Sequence, residues 1–170
     1  MSIAVESSVI SHWDNLVEGL HYSTQDYYYA LERAIASRQI PDVTVTRIEI
    51  KEGGILSAKR LYLRVARKEL HFDICGAPFG NAFFFSWWLT ELPSGCLVTL
   101  LSIPVIRSWT WFLARPLTYF KLDTAIMFQE SVHFAVMEVI DQITDAKGIR
   151  ALTEVERKPI MRDFFRGSGF

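Results

Sequence analysis

The chain has 170 residues, half of them hydrophobic, and 18 Lys or Arg against 19 Asp or Glu. That length suits one domain spanning residues 1–170, and the balanced charge gives no field to draw in a polyanion, so no nucleic-acid partner is expected. The aromatic residues are 14% of the total and gather between Phe79 and Phe120, so their placement carries more information than their number.

Met1 to Asn15 holds Glu6 and Asp14 and no basic residue ahead of an apolar run, so a secretory signal is not expected and synthesis in the cytosol is. Cys75 and Cys96 are then expected as reduced thiols, and their spacing matches no zinc pattern. Two helices are read first, over Glu6–Leu20 and Thr24–Arg38, with Ser23 or Thr24 capping the second and Pro41 ending it. Tyr28, Leu31, Ala34 and Ile35 recur at helical spacing, so the tyrosines of this stretch read as packing residues.

From Val43 the period falls to two. Val43, Val45, Ile48 and Ile50 form a strand that leaves through Lys51-Glu52-Gly53-Gly54. Leu61, Leu63 and Val65, the turn Arg67-Lys68-Glu69, and Leu70, Phe72 and Ile74 make a hairpin. After the turn Gly76–Asn81, the aromatic run Ala82–Leu89 lacks alternation, which predicts a strand covered on both faces. The result is an antiparallel meander of about four strands. A long helix is read over Asp123–Asp145, with Ile126, Phe128, Val132, Val136, Val139, Ile140 and Ile143 on its apolar stripe and Glu130, His133, Asp141 and Asp145 off it. Gly148 stops it, and a short terminal helix runs through Ile160–Arg166. The class is α+β: N-terminal helices, the meander, an apolar helical hairpin, the long helix and the terminal one.

The apolar hairpin is Gly95–Ala114. Between Ile74 and Ala114 only Glu91 and Arg107 are ionisable apart from the two cysteines. Twenty residues can span a bilayer core of ~30 Å as a helix. The apolar side chains contribute roughly −3 to −5 kcal/mol on the insertion scale, against roughly +3 kcal/mol for Arg107 near the centre, so a single crossing is marginal. Lys and Arg are also split almost evenly, with nine before Gly95 and eight after Ala114. A re-entrant or interfacial hairpin turning near Pro104, with Trp109 and Trp111 at the headgroups, is therefore preferred over a crossing; burial in a soluble core or subunit interface is the competing reading.

The residues expected to touch membrane or an apolar ligand are Phe83, Phe84, Phe85, Trp87, Trp88, Leu97, Leu100, Leu101, Ile103, Ile106, Trp109, Trp111 and Phe112. In the tail, Ile160, Met161, Phe164 and Phe165 form an apolar stripe, and Arg157, Lys158, Arg162 and Arg166 around it are expected to meet an anionic surface.

Catalytic signals are weak. His71, Asp73 and Cys75 share a strand face, but residues four apart on a strand are separated by ~13 Å, so His71 cannot activate Cys75 directly. Glu130-Ser131-Val132-His133 is one Glu-x-x-His where a dimetal bundle needs two, and Gly76–Asn81 lacks the Lys-Ser/Thr ending of a phosphate loop. No catalytic residue, metal or cofactor is expected. The reading is a non-enzymatic anchor, adaptor or assembly factor at the cytoplasmic face of a membrane, with membrane lipid or a membrane subunit as partner and a homo-oligomer as an option. The alternatives are a soluble carrier with an aromatic-lined cavity and an enzyme with a dispersed site.

Overall fold

In a computed structural model of the protein, the described residues are 8–51, 59–92 and 118–161. They form a mixed fold of helix and antiparallel sheet: β1 (Ser8–Glu18), α1 (Thr24–Ser37), β2 (Thr44–Lys51), β3 (Lys59–Arg67), β4 (Leu70–Phe79), β5 (Ala82–Glu91), α2 (Tyr119–Lys147) and β6 (Ile160–Met161). The sheet order is β2-β3-β4-β5-β1-β6, so β2 to β5 are the expected meander and β1 closes on its last strand. The turn expected over Gly76–Asn81 is only Gly80-Asn81, since Gly76 to Phe79 pair with Phe85 to Ala82.

Both helices lie on one face of this sheet. Tyr27 of α1 meets Phe83 and Phe85 edge-on, while Phe128 and His133 of α2 meet Phe72 and Trp87. Alternation explains which side chains are available there. Leu63 and Val65, then Leu70, Phe72 and Ile74, then Phe83, Phe85, Trp87 and Leu89 all point at the helices and are buried. Residues between them point to the other face. On that face Trp88 is 41% exposed while Ser86 and, beside it on β4, Cys75 are buried, so the cover expected on both faces of β5 is partial. An aromatic at nearly every position hid the period from the sequence.

The helix expected over Glu6–Leu20 is not found in its described residues, 8–20: Ser8–Glu18 is the strand that pairs with β5 over Ser8↔Glu91 to Glu18↔Ala82. The helical look of Ile10, Trp13 and Val17 has a physical origin. A register shift between Val9 and Ser11 lets both Ile10 and Ser11 be buried, and the intervening buried-face positions Ser11 and Asn15 are polar, which masks a period of two. Ser11 is satisfied there because its hydroxyl donates to Gln129 of α2.

The second helix forms where expected, with the Ser23 hydroxyl accepting from the Asp26 N–H as its N-cap. The long helix begins at Tyr119 rather than Asp123, capped by Thr118, and ends at Gly148 in the left-handed region with φ 64°. Ile126 is exposed rather than part of the core, and His133, expected off the apolar stripe, is buried. The start of the expected terminal helix is instead β6, in which Ile160 and Met161 pair with His12 and Ser11. Pro159 just ahead favours extended backbone. Gly53, Gly54, the hairpin Gly95–Ala114 and the tail beyond Met161 lie outside the described residues.

One glycine is needed for packing rather than for a turn. A Cβ on Gly76 would lie 2.6 Å from Tyr27 Cε1 and closer still to Cδ1, where β4 lets α1 approach. Beside it the Tyr28 hydroxyl donates to the Leu61 carbonyl at 2.7 Å and accepts from the Gly76 N–H at 3.3 Å. Gly76→Ala is expected to destabilise the protein by about 1–3 kcal/mol through overpacking, read as a lower urea midpoint at unchanged slope.

Candidate functional site

The sheet face away from the helices can be built row by row from the registers. One row crosses Thr46, Arg64, Asp73, Trp88, His12 and Ile160. Within it, Arg64 Nε and Nη2 each donate to an Asp73 carboxylate oxygen at 2.7 Å, and the Trp88 and His12 rings stack at 4.7 Å and 12°. The fork fixes both charges and ties β3 to β4. The next rows carry Cys75, Ser86 and Asp14, then Ala77, Phe84 and Leu16.

His71, Asp73 and Cys75 do share this face, but their chemistry is spoken for. Asp73 is committed to Arg64. Burial pushes the Cys75 thiol up from its ordinary value, against the opposing pull of Arg60 and a hydrogen bond with Ser86, so it is a poor thiolate. Burial and then the Arg64 charge lower the His71 pKa.

A different feature stands at the end of the sheet where β5 finishes. Lys121 of α2 forms an ion pair with Glu91, the last residue of β5, at 3.2 Å. The Leu92 N–H donates to the Glu69 carbonyl at 2.8 Å and fixes the chain just beyond β5. Residues 93–117 therefore leave and re-enter the described structure at neighbouring points. Tyr119 and Phe120, the first two residues of α2, are strongly exposed beside that point. The ion pair is half-solvated and contributes less than about 1 kcal/mol, so it marks the geometry more than it stabilises it.

The expected site residues divide accordingly. Phe83, Phe85 and Trp87 are fully buried under the helices; on the opposite face Phe84 is half-buried and Trp88 exposed. Leu97, Leu100, Leu101, Ile103, Ile106, Trp109, Trp111, Phe112, Arg162 and Arg166 lie outside the described residues. Arg157 is engaged: its guanidinium donates to both oxygens of Asp141 and to the Leu152 carbonyl, while Lys158 is exposed. Sequence reasoning missed Glu91 and Lys121, whose pairing depends on a contact between elements 30 residues apart.

The Glu-x-x-His pair is not a pair of open ligands. His133 Nδ1 accepts from the Trp87 indole N–H at 3.2 Å, with Trp13 packed edge-on to the imidazole. Trp13 in turn donates to the Glu156 carbonyl at 2.6 Å, so these rings tie β1, β5, α2 and residues 150–161 together. Among the described residues no group of three His, Cys, Asp or Glu side chains is placed to hold a metal, and no helix is long and apolar enough to cross a membrane. Comparison with protein-family models, with curated proteins and with solved structures finds no match.

Burial, the first cause, lowers the His133 pKa below its ordinary 6.5, and the Arg157 charge adds to this; Glu130 and the Arg157 backbone oppose it. A depressed folded value means the unfolded chain takes up the proton first. Stability is therefore full above pH 6.5 and lost as pH falls from there through the folded value. Thermal melts at pH 7.5 and 5 should show this loss, and His133→Gln, which keeps an acceptor for Trp87 but does not titrate, should reduce it.

Proposed function

We propose that the protein is a non-enzymatic membrane-associated anchor or adaptor, held at the cytoplasmic face of a membrane by a hairpin formed from Gly95–Ala114. The observation that carries the reading is the Glu91–Lys121 ion pair. A segment that enters a bilayer and returns needs its two ends on the same side and close together, whereas a crossing helix needs them about 30 Å apart. The exposed Tyr119 supports it, since a ring with an apolar body and a polar tip is favoured at the headgroup level.

The carrier reading has less support. Phe83, Phe85 and Trp87, which would line its cavity, are packed against Tyr27, Phe72 and His133. The tail is also a weaker second attachment than its sequence suggests, because Arg157 is already bonded to Asp141.

Flotation with liposomes of mixed neutral and anionic lipid tests the proposal. The full chain should rise with the vesicles, and a variant with residues 95–114 replaced by a Gly-Ser linker should stay behind while keeping its melting transition. Quenching of Trp109 and Trp111 fluorescence by lipids brominated in the acyl chain provides a reading without deletion. A parent protein that stays monomeric without detergent, fails to float and is not quenched would remove the membrane reading.

A further inference from the structure

The outer side of α2 presents an apolar line that neither the sheet nor α1 uses. Phe120, Met127 and Phe134 are 80%, 69% and 55% exposed. Seven-residue spacing drifts only ~20° per step on a straight helix, so the three side chains fall on one stripe over about 21 Å. It lies opposite the buried line through Ala125, Phe128, Val132, Val136 and Val139.

One rim of this stripe is acidic, and the other carries Thr124, Ser131 and Gln142. Between Lys121 and Lys147 the helix holds Asp123, Glu130, Glu138, Asp141 and Asp145 and no Lys or Arg. Glu138 and Asp141 are paired with Arg38 and Arg157; Asp123, Glu130 and Asp145 have no ion-pair partner among the described residues. An apolar stripe with unneutralised carboxylates along one rim selects its occupant. An antiparallel second copy would set acidic rim against acidic rim, and an anionic lipid surface would be repelled. A helix with apolar residues at the same spacing and Lys or Arg along its flank would bury the rings and neutralise the acidic rim together.

We propose that the outer face of α2 is a docking surface for a basic amphipathic helix of a partner protein. Three anchoring side chains are fewer than a stable dimer interface of about 800 Å² per partner supplies, so this is a helix-on-helix contact of the peptide-recognition kind. It does not depend on the membrane reading, since residues 95–114 take no part in it.

The test uses full-length protein and a labelled synthetic helix of 21 residues with Leu in a heptad pattern and Lys at the flanks, followed by fluorescence anisotropy. Binding should weaken as salt is raised. Met127→Ser with Phe134→Ser should weaken it at least tenfold, and both side chains are exposed enough for the variant to keep its melting temperature. Asp123→Lys with Glu130→Lys should weaken the Lys peptide and favour an analogue with Glu in place of Lys. The Gly-Ser linker variant should bind like the parent, which separates this surface from the hairpin. Equal affinity of the parent for the Lys and Glu peptides, or no effect of the Met127/Phe134 substitutions, would overturn the proposal. So would self-association in the ultracentrifuge, or binding to anionic vesicles, that those two substitutions abolish.

Discussion

Trp87 is the side chain on which the two layers and the C-terminal segment meet. Its ring lies 4.5 Å from that of Phe72 on the neighbouring strand, its N–H reaches His133 of α2, and Trp13 stands opposite it in the β1–β5 register. A buried indole must find an acceptor, because an unsatisfied N–H costs about 1–3 kcal/mol. Here the acceptor is on the helix, so the polar requirement of one side chain sets where α2 can sit over the sheet. Trp13 repeats the device with the Glu156 carbonyl and so extends it to the chain beyond α2.

That arrangement puts both helices on one face of the sheet. They bury Phe72, Phe83, Phe85, Trp87 and Leu89, and the opposite face carries polar pairs such as Arg64–Asp73 and Trp88 stacked on His12. The opposite face is only partly open to solvent: Trp88 is exposed on it, whereas Asp73, Cys75 and Ser86 are buried. The larger apolar core lies between the sheet and the two helices.

The meander, α1 and most of α2 were legible in the sequence because local period and function in the fold coincide there. Leu70, Phe72 and Ile74 alternate with His71, Asp73 and Cys75, and the structure puts the two sets on opposite faces. β1 was not legible, since its buried side includes Ser11 and Asn15 and its bulge shifts the parity; the partner that makes Ser11 acceptable, Gln129, lies on a distant helix. His133 misled for a related reason. A histidine reads as polar, but with one nitrogen satisfied by Trp87 and two indoles around the ring it behaves as a core aromatic. The Glu91–Lys121 pair carries no local signal, being made by tertiary packing alone.

The exposure at the start of α2 follows from lengths. Its 29 residues extend about 43 Å at ~1.5 Å per residue, whereas the 10 residues of β5 cover about 33 Å. A helix laid along that strand must overhang it. Lys121 meets Glu91 at the strand's end, so Tyr119 and Phe120 stand beyond the sheet, without strand side chains beneath them. The core therefore cannot account for aromatic residues at these two positions. Helix propensity does not either, since Ala or Lys would extend the first turn at lower cost. Any cover for these two rings has to come from something other than the sheet.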